Sequence, residues 1–360
     1  MSSWRRALAS KSIYNNMLYS AGWKQLNGDY NNLVKFSDLH PTERFKAVYA
    51  GYDHAFAVDC DNSIYYWGNA STGSSGVGLD NYSFITHPKL INSELLLEAK
   101  KIILGNGDTL VIDSQDELWY AGLNFYGQSG TGTDYVHSYF HKVKEGKKWK
   151  TASCNLTTLA IDNDGVMWYC GRNDYGQTGT AGISLMLLWQ ANTDIAWNNV
   201  HTNGTSSVAC RCDGVWCACG LNDHGQLGLG DIDNRSEFTP IGEYDWYKVD
   251  SGVDFFIAMD SSNQLWGWGA NTYGQLGLGD TVDRHTPVKL NDKVWKTFSC
   301  GNYHVSAIDS DNILWSWGWN NYGQLGLGDT ADRHAPTMYN PYFWSSVVAG
   351  GGSTLAIRAM

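Results

Sequence analysis

The chain has 360 residues, of which 17% are charged, 43% are hydrophobic and 40 are glycine, a composition that indicates many short buried strands joined by tight turns. Its formal net charge of −11 disfavours nucleic acid as a direct partner, because phosphate backbones are bound by clustered lysine and arginine. No apolar run approaches the roughly 18 residues of a membrane span, and the first residues lack the apolar segment of a secretory signal. We therefore expect a protein that is not secreted by a classical signal and acts in the cytoplasm or in a virus particle.

One glycine position recurs along the chain at an almost constant spacing. Going back from the C-terminal end, neighbouring copies are 49 residues apart four times, and then 54 and 46 residues apart. The positions are Gly318, Gly269, Gly220, Gly171, Gly122, Gly68 and Gly22. A repeat of this length determines the fold before any local motif is considered, and it predicts seven copies of one unit.

Each copy contains four short segments with strand character. In one late copy these are residues 295–299, 304–308 and 313–318, together with 286–290 from the preceding loop region. Asp309-Ser-Asp-Asn joins the second segment to the third, and these residue types form hairpin turns. We interpret the recurring aspartate as a turn residue that caps its own backbone, rather than as part of a carboxylate site. It recurs at Asp59, Asp113, Asp162 and Asp260.

The two ends of the chain complement each other. Residues 344–358 match the first two segments of a unit and then stop, while residues 13–22 and 33–36 match the missing third and fourth. A ring closed by its own ends requires this arrangement, which also pairs otherwise exposed strand edges. An open solenoid would carry polar caps instead. We therefore predict an all-β fold, a seven-bladed β-propeller of four-stranded antiparallel blades, with the ring closed by N- and C-terminal strands in one shared blade.

The predicted organisation has two parts. Residues 1–12 form an N-terminal arm, which we expect to dock on a neighbouring subunit, and residues 13–360 form a single propeller domain. The closing blade is expected to consist of about 344–360 plus 13–41. Residues 92–101, in the unit with the 54-residue spacing, indicate a short helical insertion and a further candidate contact.

Two loops depart from the repeat and are the candidate partner surface. Residues 133–141 are rich in aromatic side chains, and residues 182–190 have Met186 and Trp189 where other copies have arginine and proline. Equivalent loops of neighbouring blades lie side by side, and aromatic residues and methionine are enriched at interface centres. The alternative is that these side chains repack internally after the loss of the Arg–Pro pair. The candidate contact residues are Tyr135, His137, Tyr139, Phe140, Ile183, Leu185, Met186, Leu187 and Trp189.

Four of the eight cysteines lie together at Cys210, Cys212, Cys217 and Cys219. If a hairpin turn falls between the pairs, strand alternation places all four sulfur atoms on one face, as a tetrahedral zinc site would need. Core packing is the favoured interpretation, because Cys210 and Cys217 occupy positions that are apolar in other copies and free cysteine behaves as a small buried hydrophobe. A disulfide is the third possibility. We predict free thiols, no metal and no cofactor.

Glycine-rich loops such as residues 274–279 are the strongest enzyme-like signal. A phosphate-binding loop opens a helix and carries a following lysine and Ser or Thr, and neither feature is present. The loop also recurs, which favours a backbone crossing that needs glycine conformations. The motifs of serine hydrolases, zinc proteases and dithiol sites are absent from the sequence. We therefore expect a protein that is not an enzyme.

The motif Trp-Gly-x-Asn-x-Tyr-Gly-Gln-Leu-Gly-Leu-Gly-Asp, with a downstream Arg-x-x-Pro, resembles the repeat of the RCC1 (regulator of chromosome condensation) family of seven-bladed propellers. The resemblance extends from about Ile13 to Met360 and is most specific in the last copies. It implies protein–protein binding by propeller faces. The founding member of the family is a nuclear exchange factor for a small GTPase that also docks on chromatin.

Two family activities have sequence requirements that can be checked. A plant ultraviolet receptor of the family uses a Gly-Trp-Arg-His-Thr motif, and the matching stretches at residues 51–54 and 301–304 lack the Trp-Arg pair. The arm offers only Arg5, Arg6 and Lys11 for nuclear import or chromatin binding. The tryptophans instead recur at one strand position and are expected to pack between strands, at Trp149, Trp197, Trp246, Trp295 and Trp344.

These observations favour a non-enzymatic scaffold that binds a protein partner through its loop faces. Two alternatives stay open. The near-identity of residues 265–280 and 314–329 indicates recent duplication and is compatible with a structural, decoration or attachment protein of a virus or phage particle. The family resemblance also implies guanine-nucleotide exchange on a small GTPase.

Overall fold

The computed structural model describes residues 17–22, 34–35, 44–79, 83–91, 93–193 and 195–359, without the side chains of residues 34, 35, 340 and 341. The predicted arm, residues 1–12, lies outside the described residues. Within these ranges no helix has the length and apolar character needed to cross a membrane.

The described strands form five separate four-stranded sheets and one larger sheet. In each four-stranded sheet the strands are antiparallel and neighbours in sequence are neighbours in space, so that short hairpins and loops connect them. Blade one consists of β3 (Phe45–Ala50), β4 (His54–Asp59), β5 (Ile64–Gly68) and β6 (Ile85–Ile91). Blade two consists of β7 (Lys101–Leu104), β8 (Asp108–Ile112), β9 (Leu118–Gly122) and β10 (His137–Lys142).

Blades three to five repeat this arrangement with longer fourth strands in blades three and four. Blade three consists of β11 (Trp149–Cys154), β12 (Thr157–Asp162), β13 (Met167–Arg172) and β14 (Leu185–Asn192). Blade four consists of β15 (Trp197–Thr202), β16 (Ser206–Arg211), β17 (Val215–Gly220) and β18 (Arg235–Glu243). Blade five consists of β19 (Trp246–Gly252), β20 (Phe255–Asp260), β21 (Leu265–Gly269) and β22 (Arg284–Lys289).

The larger sheet has seven strands and joins the two ends of the chain. β1 pairs with β27 in an antiparallel register from Leu18↔Ile357 to Gly22↔Ser353, as the complementary half-units predict. The strand order is β2-β1-β27-β26-β25-β24-β23. These strands are β23 (Trp295–Cys300), β24 (His304–Asp309), β25 (Ile313–Gly318), β26 (Arg333–Ala349), β27 (Ser353–Arg358), β1 (Leu18–Gly22) and β2 (Val34–Lys35).

The expected count of seven separate blades is not confirmed, because β26 is continuous over 17 residues. The first half of β26 pairs with β25 and the second half pairs with β27, with a shift of register between Trp315↔Met338 and Ile313↔Phe343. At the corresponding place the preceding unit has Asn291-Asp292, and β26 has Asn340-Pro341, which are also turn formers. The residue types therefore predict a break between two blades, whereas the strand continues through this place.

Backbone hydrogen bonds connect the loops that follow the first strand of each sheet. Val253 donates to Asn302 (2.8 Å), Asn302 donates to Gly351 (3.2 Å), and Gly351 donates to Tyr52 (3.0 Å). Tyr52 in turn donates to the carbonyl of Gly105 (3.1 Å). Since Gly351 follows β26 and Tyr52 follows β3, this chain of bonds continues from the C-terminal sheet into blade one.

The core lies between neighbouring sheets. One apolar cluster contains Leu159 and Ile161 of blade three together with Ala209 and Cys217 of blade four. The recurring tryptophans, four at the start of a strand and Trp344 within β26, are buried at 5% exposure or less, which confirms their expected packing role. Each Å² of apolar surface that these clusters remove from water contributes about 25 cal/mol to the free energy of unfolding.

The hairpin aspartates adopt the turn that their residue type predicts. Asp309 accepts the backbone N–H groups of Asp311 (3.0 Å) and Ile313 (2.9 Å), and the indole of Trp315 donates to the same carboxylate (2.7 Å). The predicted insertion is also present, as a single helical turn, α1 (Glu94–Leu97), with Ser93 as its N-cap.

Two glycines with similar backbone angles provide a test of the loop geometry. Gly269 (φ 95°) and Gly279 (φ 88°) both lie in the left-handed region, but a Cβ atom at Gly269 would lie 2.4 Å from the Asp254 carbonyl oxygen, whereas one at Gly279 would contact nothing within 4 Å. We expect Gly279→Ala to lower the free energy of unfolding by about 1 kcal/mol and Gly269→Ala by about 3 kcal/mol, measured by guanidinium denaturation. Equal losses would contradict this account of the close approach.

Candidate protein-binding surface

Buried amide side chains hold the loop after β9 in place. The Asn124 side chain accepts the backbone N–H of Ser129 (2.8 Å) and donates to the carbonyl of Thr133 (2.9 Å). Gln128 accepts the N–H of Tyr126 (3.0 Å). The same Asn and Gln bonds recur in later units, for example at Asn271 and its neighbours, so the loop has a defined shape on which the next blade can pack.

The glycines of this loop make room for the fourth strand of the next blade. A Cβ atom at Gly127 would lie 2.6 Å from the Leu187 side chain, and one at Gly130 would lie 2.1 Å from the Trp189 ring. Both glycines have positive φ angles, 70° and 68°, which other residues rarely adopt. The glycine-rich loop is therefore a contact between blades, in agreement with the backbone-crossing interpretation.

The predicted contact residues of β14 and of the loop before it divide into three groups by burial. Met186 and Trp189 are buried, and the Trp189 indole donates to the carbonyl of Ser129 (3.1 Å), so these two side chains repack internally as the alternative interpretation holds. Leu187 is half-buried. Ile183 and Leu185 stay on the surface at 58% and 43% exposure.

Leu188 is a surface residue that the sequence pattern missed. It is 58% exposed, although it lies between the partly buried Leu187 and the buried Trp189. The register of β13 with β14 shifts between Tyr169 and Gly171, and this irregularity breaks the strict alternation of buried and exposed side chains. Alternation alone could not place Leu188, because no residue type in the stretch marks the shift.

On the neighbouring blade, the residues of the 133–141 stretch also divide. Tyr135 and Tyr139 are 59% and 67% exposed, while His137 and Phe140 are half-buried. The Phe140 ring covers Gly76 of blade one, where a Cβ atom would lie 2.1 Å from it. Tyr139 thus presents most of its surface to solvent from a strand that is anchored on the preceding blade.

Thr131 brings the two segments together. It forms an isolated antiparallel bridge with Leu188, and its hydroxyl lies 2.8 Å from that of Thr133 and 3.4 Å from Nε2 of His137. A cavity of about 440 Å³ adjoins Ile183, Leu185 and Leu188. We call five exposed side chains of these two segments the rim surface: Tyr135, Tyr139, Ile183, Leu185 and Leu188.

Two histidine rings lie against each other beside Tyr135 of the rim surface. The rings of His137 and His141 are 4.0 Å apart, and Tyr120 and Tyr135 lie beside them at 5.7 Å and 5.1 Å. Burial, together with a smaller effect of the neighbouring His137, lowers the pKa of His141 to about 4. Burial also lowers the pKa of His137. Both rings are therefore neutral at pH 7.

The cysteine group does not form the four-thiolate site. Cys210 pairs with Trp216 and Ala209 pairs with Cys217, so Cys210 faces the opposite side of the sheet from Cys217 and Cys219. The expectation that all four sulfur atoms share one face is wrong, because the register of the hairpin pairs even-numbered residues with even-numbered residues. No group of three or more His, Cys, Asp or Glu side chains in the described ranges could hold a metal ion, and no disulfide joins the eight cysteines, all of which lie in those ranges.

Two of these cysteines replace residues of the repeat. The thiol of Cys219 lies 3.5 Å from the carbonyl of Gln177, where Trp268 donates to Gln226 one unit later. Cys217 stands where the other units have the tryptophan that donates to the hairpin aspartate, and Arg211 stands where that aspartate is found. The donor and its acceptor are thus lost together, which supports a packing role for Cys217.

A central channel of about 480 Å³ is a second concave feature. It is lined by the first strands of the five blades, by β23 and by the end of β26. Its polar groups join neighbouring strands: Nε2 of His201 lies 2.8 Å from Oγ of Ser251, and Asp250 accepts the backbone N–H of Cys300 (2.9 Å). Burial lowers the pKa of His201. These contacts hold the ring together and leave the rim surface as the more apolar candidate site.

Comparison with known proteins supports the repeat and the fold. Residues 262–308 and 311–357 match the family described as regulator of chromosome condensation (RCC1) repeat, and a second description of that repeat matches 246–275 and 295–324. The C-terminal third of the chain thus carries RCC1 repeats, and the fold is an RCC1-like propeller.

Solved structures extend the similarity of fold over nearly the whole chain. Prp20p from Saccharomyces cerevisiae, described with its binding properties to Gsp1p and histones, has a TM-score of 0.84 at 17% identity, covering 97% of this chain and 92% of that one. The yeast protein bound to Kap60 gives 0.84 at 17% identity, with 98% and 91% covered. Human WBSCR16 gives 0.79 at 16% identity, with 96% and 100% covered. At these identities the likeness concerns the fold alone.

The histidine pair predicts a pH dependence of stability. The pKa of His141 is near 4 in the folded chain and about 6.5 in the unfolded chain. The contribution of the neutral ring to the free energy of unfolding is therefore complete above pH 6.5 and is lost as the pH falls from there towards 4. Gln190 occupies the same repeat position, so His141→Gln should fold. We expect the variant to lose less free energy of unfolding between pH 7 and pH 5, by on the order of 1 kcal/mol after allowance for partial solvent screening. Identical pH profiles of the urea midpoint would contradict the assignment.

Proposed function

Since the chain carries RCC1 repeats on an RCC1-like propeller, we propose that it is a non-enzymatic interaction module that binds a protein partner through the rim surface. The observation that carries this proposal is the exposure of Tyr135, Tyr139, Ile183, Leu185 and Leu188 on two adjoining blades. Contiguous exposed apolar side chains are typical of binding sites, and aromatic residues anchor many interfaces.

The chain itself provides a comparison for the rim surface. At the repeat positions of Leu185 and Leu188, blade four has Asn234 and Glu237. The framework therefore accepts polar residues at both positions, and the leucines of blade three are not required by the fold. Exposed leucines that packing does not demand are best explained by a partner that covers them.

We also propose that the propeller has seven blades. In support, the central channel is bordered by β3, β7, β11, β15, β19, β23 and the end of β26. The two halves of β26 pair with different neighbours, which supports reading the seven-stranded sheet as two four-stranded blades that share one continuous strand. The closing blade would then consist of the second half of β26 with β27, β1 and β2.

Guanine-nucleotide exchange on a small GTPase is the second candidate. The likeness in fold to Prp20p, which is described with its binding to Gsp1p, favours it. Acceleration of labelled GDP release from purified small GTPases would support exchange, whereas binding without acceleration would support the scaffold. A role in a virus or phage particle stays a prediction, for which presence of the protein in purified particles is the test.

The rim surface can be tested with residues that the repeat already uses. We expect the double variant Leu185→Asn and Leu188→Glu to fold with wild-type stability but to capture the partner at least about tenfold less well, since few central residues provide most of the binding energy. The measurement is a quantitative pull-down with the intact chain from the cells that produce it.

Ile232→Ser is the matched control for this experiment. Ile232 occupies the repeat position of Ile183 in the next blade and is 54% exposed. The Ile232→Ser variant should capture the same proteins as the wild-type chain. If the double variant retains every protein that the wild type captures, the rim surface is not the binding site.

A further inference from the structure

Charge is distributed unevenly between the two ends of the sheets. Because the strands are antiparallel, the loops between the first and second strands lie at the same end of each sheet as the loops between the third and fourth strands. We call this end the loop face. No lysine lies in the described part of these loops. Their aspartates are Asp53, Asp134, Asp174, Asp223, Asp231, Asp233, Asp254, Asp280, Asp283, Asp329 and Asp332.

The arginines at the edge of the loop face are already paired within the chain. Arg235, Arg284 and Arg333 each donate to an aspartate four residues earlier at 2.6 Å. Arg172 pairs with Asp174 at the same distance. At the opposite end, the connection between β10 and β11 alone contains Lys144, Lys147 and Lys148. The loop face is therefore negative, and the lysines are concentrated elsewhere.

Aromatic side chains of two neighbouring sheets meet on the loop face. The Trp319 ring lies 5.9 Å from Tyr273, 5.7 Å from Tyr303 and 5.0 Å from Tyr322, and Tyr273 lies 5.4 Å from Tyr303. We call these four residues the aromatic cluster. Tyr322 is 43% exposed and the other three are half-buried, so the cluster presents ring surface to solvent.

Carboxylates lie beside the aromatic cluster. Burial raises the pKa of Tyr303, and the neighbouring carboxylate of Asp254 raises it further. The Asp254 carboxylate also interacts with Asp223 and His224, and Nδ1 of His224 lies 2.8 Å from the carboxylate of Asp283. Aromatic rings and carboxylates thus share one area of the loop face.

Elsewhere on the loop face the chain shows how such an area holds a guanidinium group. The guanidinium carbon of Arg172 lies 5.7 Å from the centre of the Tyr126 ring and 5.5 Å from that of Tyr175, and the group pairs with Asp174 at 2.6 Å. Trp319 occupies the repeat position of Arg172, between Tyr273 and Tyr322, which occupy the positions of Tyr126 and Tyr175. The aromatic cluster thus repeats the chemistry of this internal arginine site with a larger ring surface.

We propose that the loop face binds an arginine-rich segment of a partner protein, with guanidinium groups on the aromatic cluster and ion pairs to Asp223 and Asp283. Arginine is specified rather than lysine because its planar guanidinium group both stacks on aromatic rings and donates two hydrogen bonds to one carboxylate. The negative charge of this face is complementary to such a segment. The inference rests on the proposed role as a binding module, but it concerns loops of blade four, blade five and the C-terminal sheet, whereas the rim surface lies on blades two and three.

The test measures binding of a fluorescently labelled peptide of alternating arginine and serine to the intact protein by anisotropy, at low and high salt. Matched lysine–serine and glutamate–serine peptides are compared. We expect the arginine peptide to bind more tightly than the lysine peptide, and the glutamate peptide not to bind. Trp319→Leu, which introduces the residue found at Leu123 and Leu221, should weaken arginine-peptide binding about fivefold.

Matched variants separate a specific site from general attraction to an acidic protein. Asp223→Asn introduces the residue found at Asn321 and should weaken binding, whereas Asp292→Asn removes an equal charge at the opposite end and should not. Tyr247→Leu is the control for Trp319→Leu, since Tyr247 is 53% exposed at that opposite end. Absence of binding, or equal effects of the paired variants, would overturn the proposal.

The peptide measurement and the pull-down together distinguish failure of the loop-face proposal from failure of the proposed function. The double variant of Leu185 and Leu188 should bind the arginine peptide like the wild-type chain. If the peptide does not bind while the pull-down shows a partner that depends on these leucines, the loop-face proposal fails and the module proposal stands.

Discussion

A backbone carbonyl in each glycine-rich loop accepts a hydrogen bond from the following sheet, and the ring depends on this contact. The indoles of Trp268 and Trp317 donate to the carbonyls of Gln226 and Gln275 (3.0 Å each), and Cys219 lies at the same place against Gln177. At the C-terminal sheet Thr354 donates to the Gln324 carbonyl (2.8 Å). Because buried polar groups need partners, the loop must keep its shape wherever two sheets meet, and the Gly-Gln motif recurs for that reason.

This constraint separates the residues that build the ring from those that can vary. The buried Asn and Gln side chains and the positive-φ glycines hold each loop, whereas the positions between them carry leucine, arginine or tryptophan without disturbing it, as Leu221, Arg172 and Trp319 show. The rim surface and the loop face both use such variable positions. Binding chemistry can therefore change from blade to blade on a constant framework.

The sequence predicted those features that repeat and missed those that depend on register. The 49-residue period, the hairpin aspartates such as Asp309 and the tryptophans such as Trp295 were enough for the strands and their packing, because each reflects a local rule applied many times. The continuity of β26 and the exposure of Leu188 accompany pairing shifts, and the opposite orientation of Cys210 and Cys217 follows from the hairpin register; no residue type marks any of these. Of the candidate site, the tyrosines and Ile183 were placed correctly on the surface, whereas Met186 and Trp189 pack inside.

Closure of the ring by β1 and β27 is the central claim, and hydrogen–deuterium exchange on Leu18→Ala tests it most directly. Leu18 is buried in one apolar cluster with Phe45 of β3 and with Leu355 and Ile357 of β27. Removing a buried leucine side chain destabilises its surroundings by about 2–5 kcal/mol. The account predicts faster exchange in β27 and β3 as well as in β1, because the three strands share this cluster. Faster exchange confined to β1 would show that the pairing does not hold the ring together, and would contradict the account.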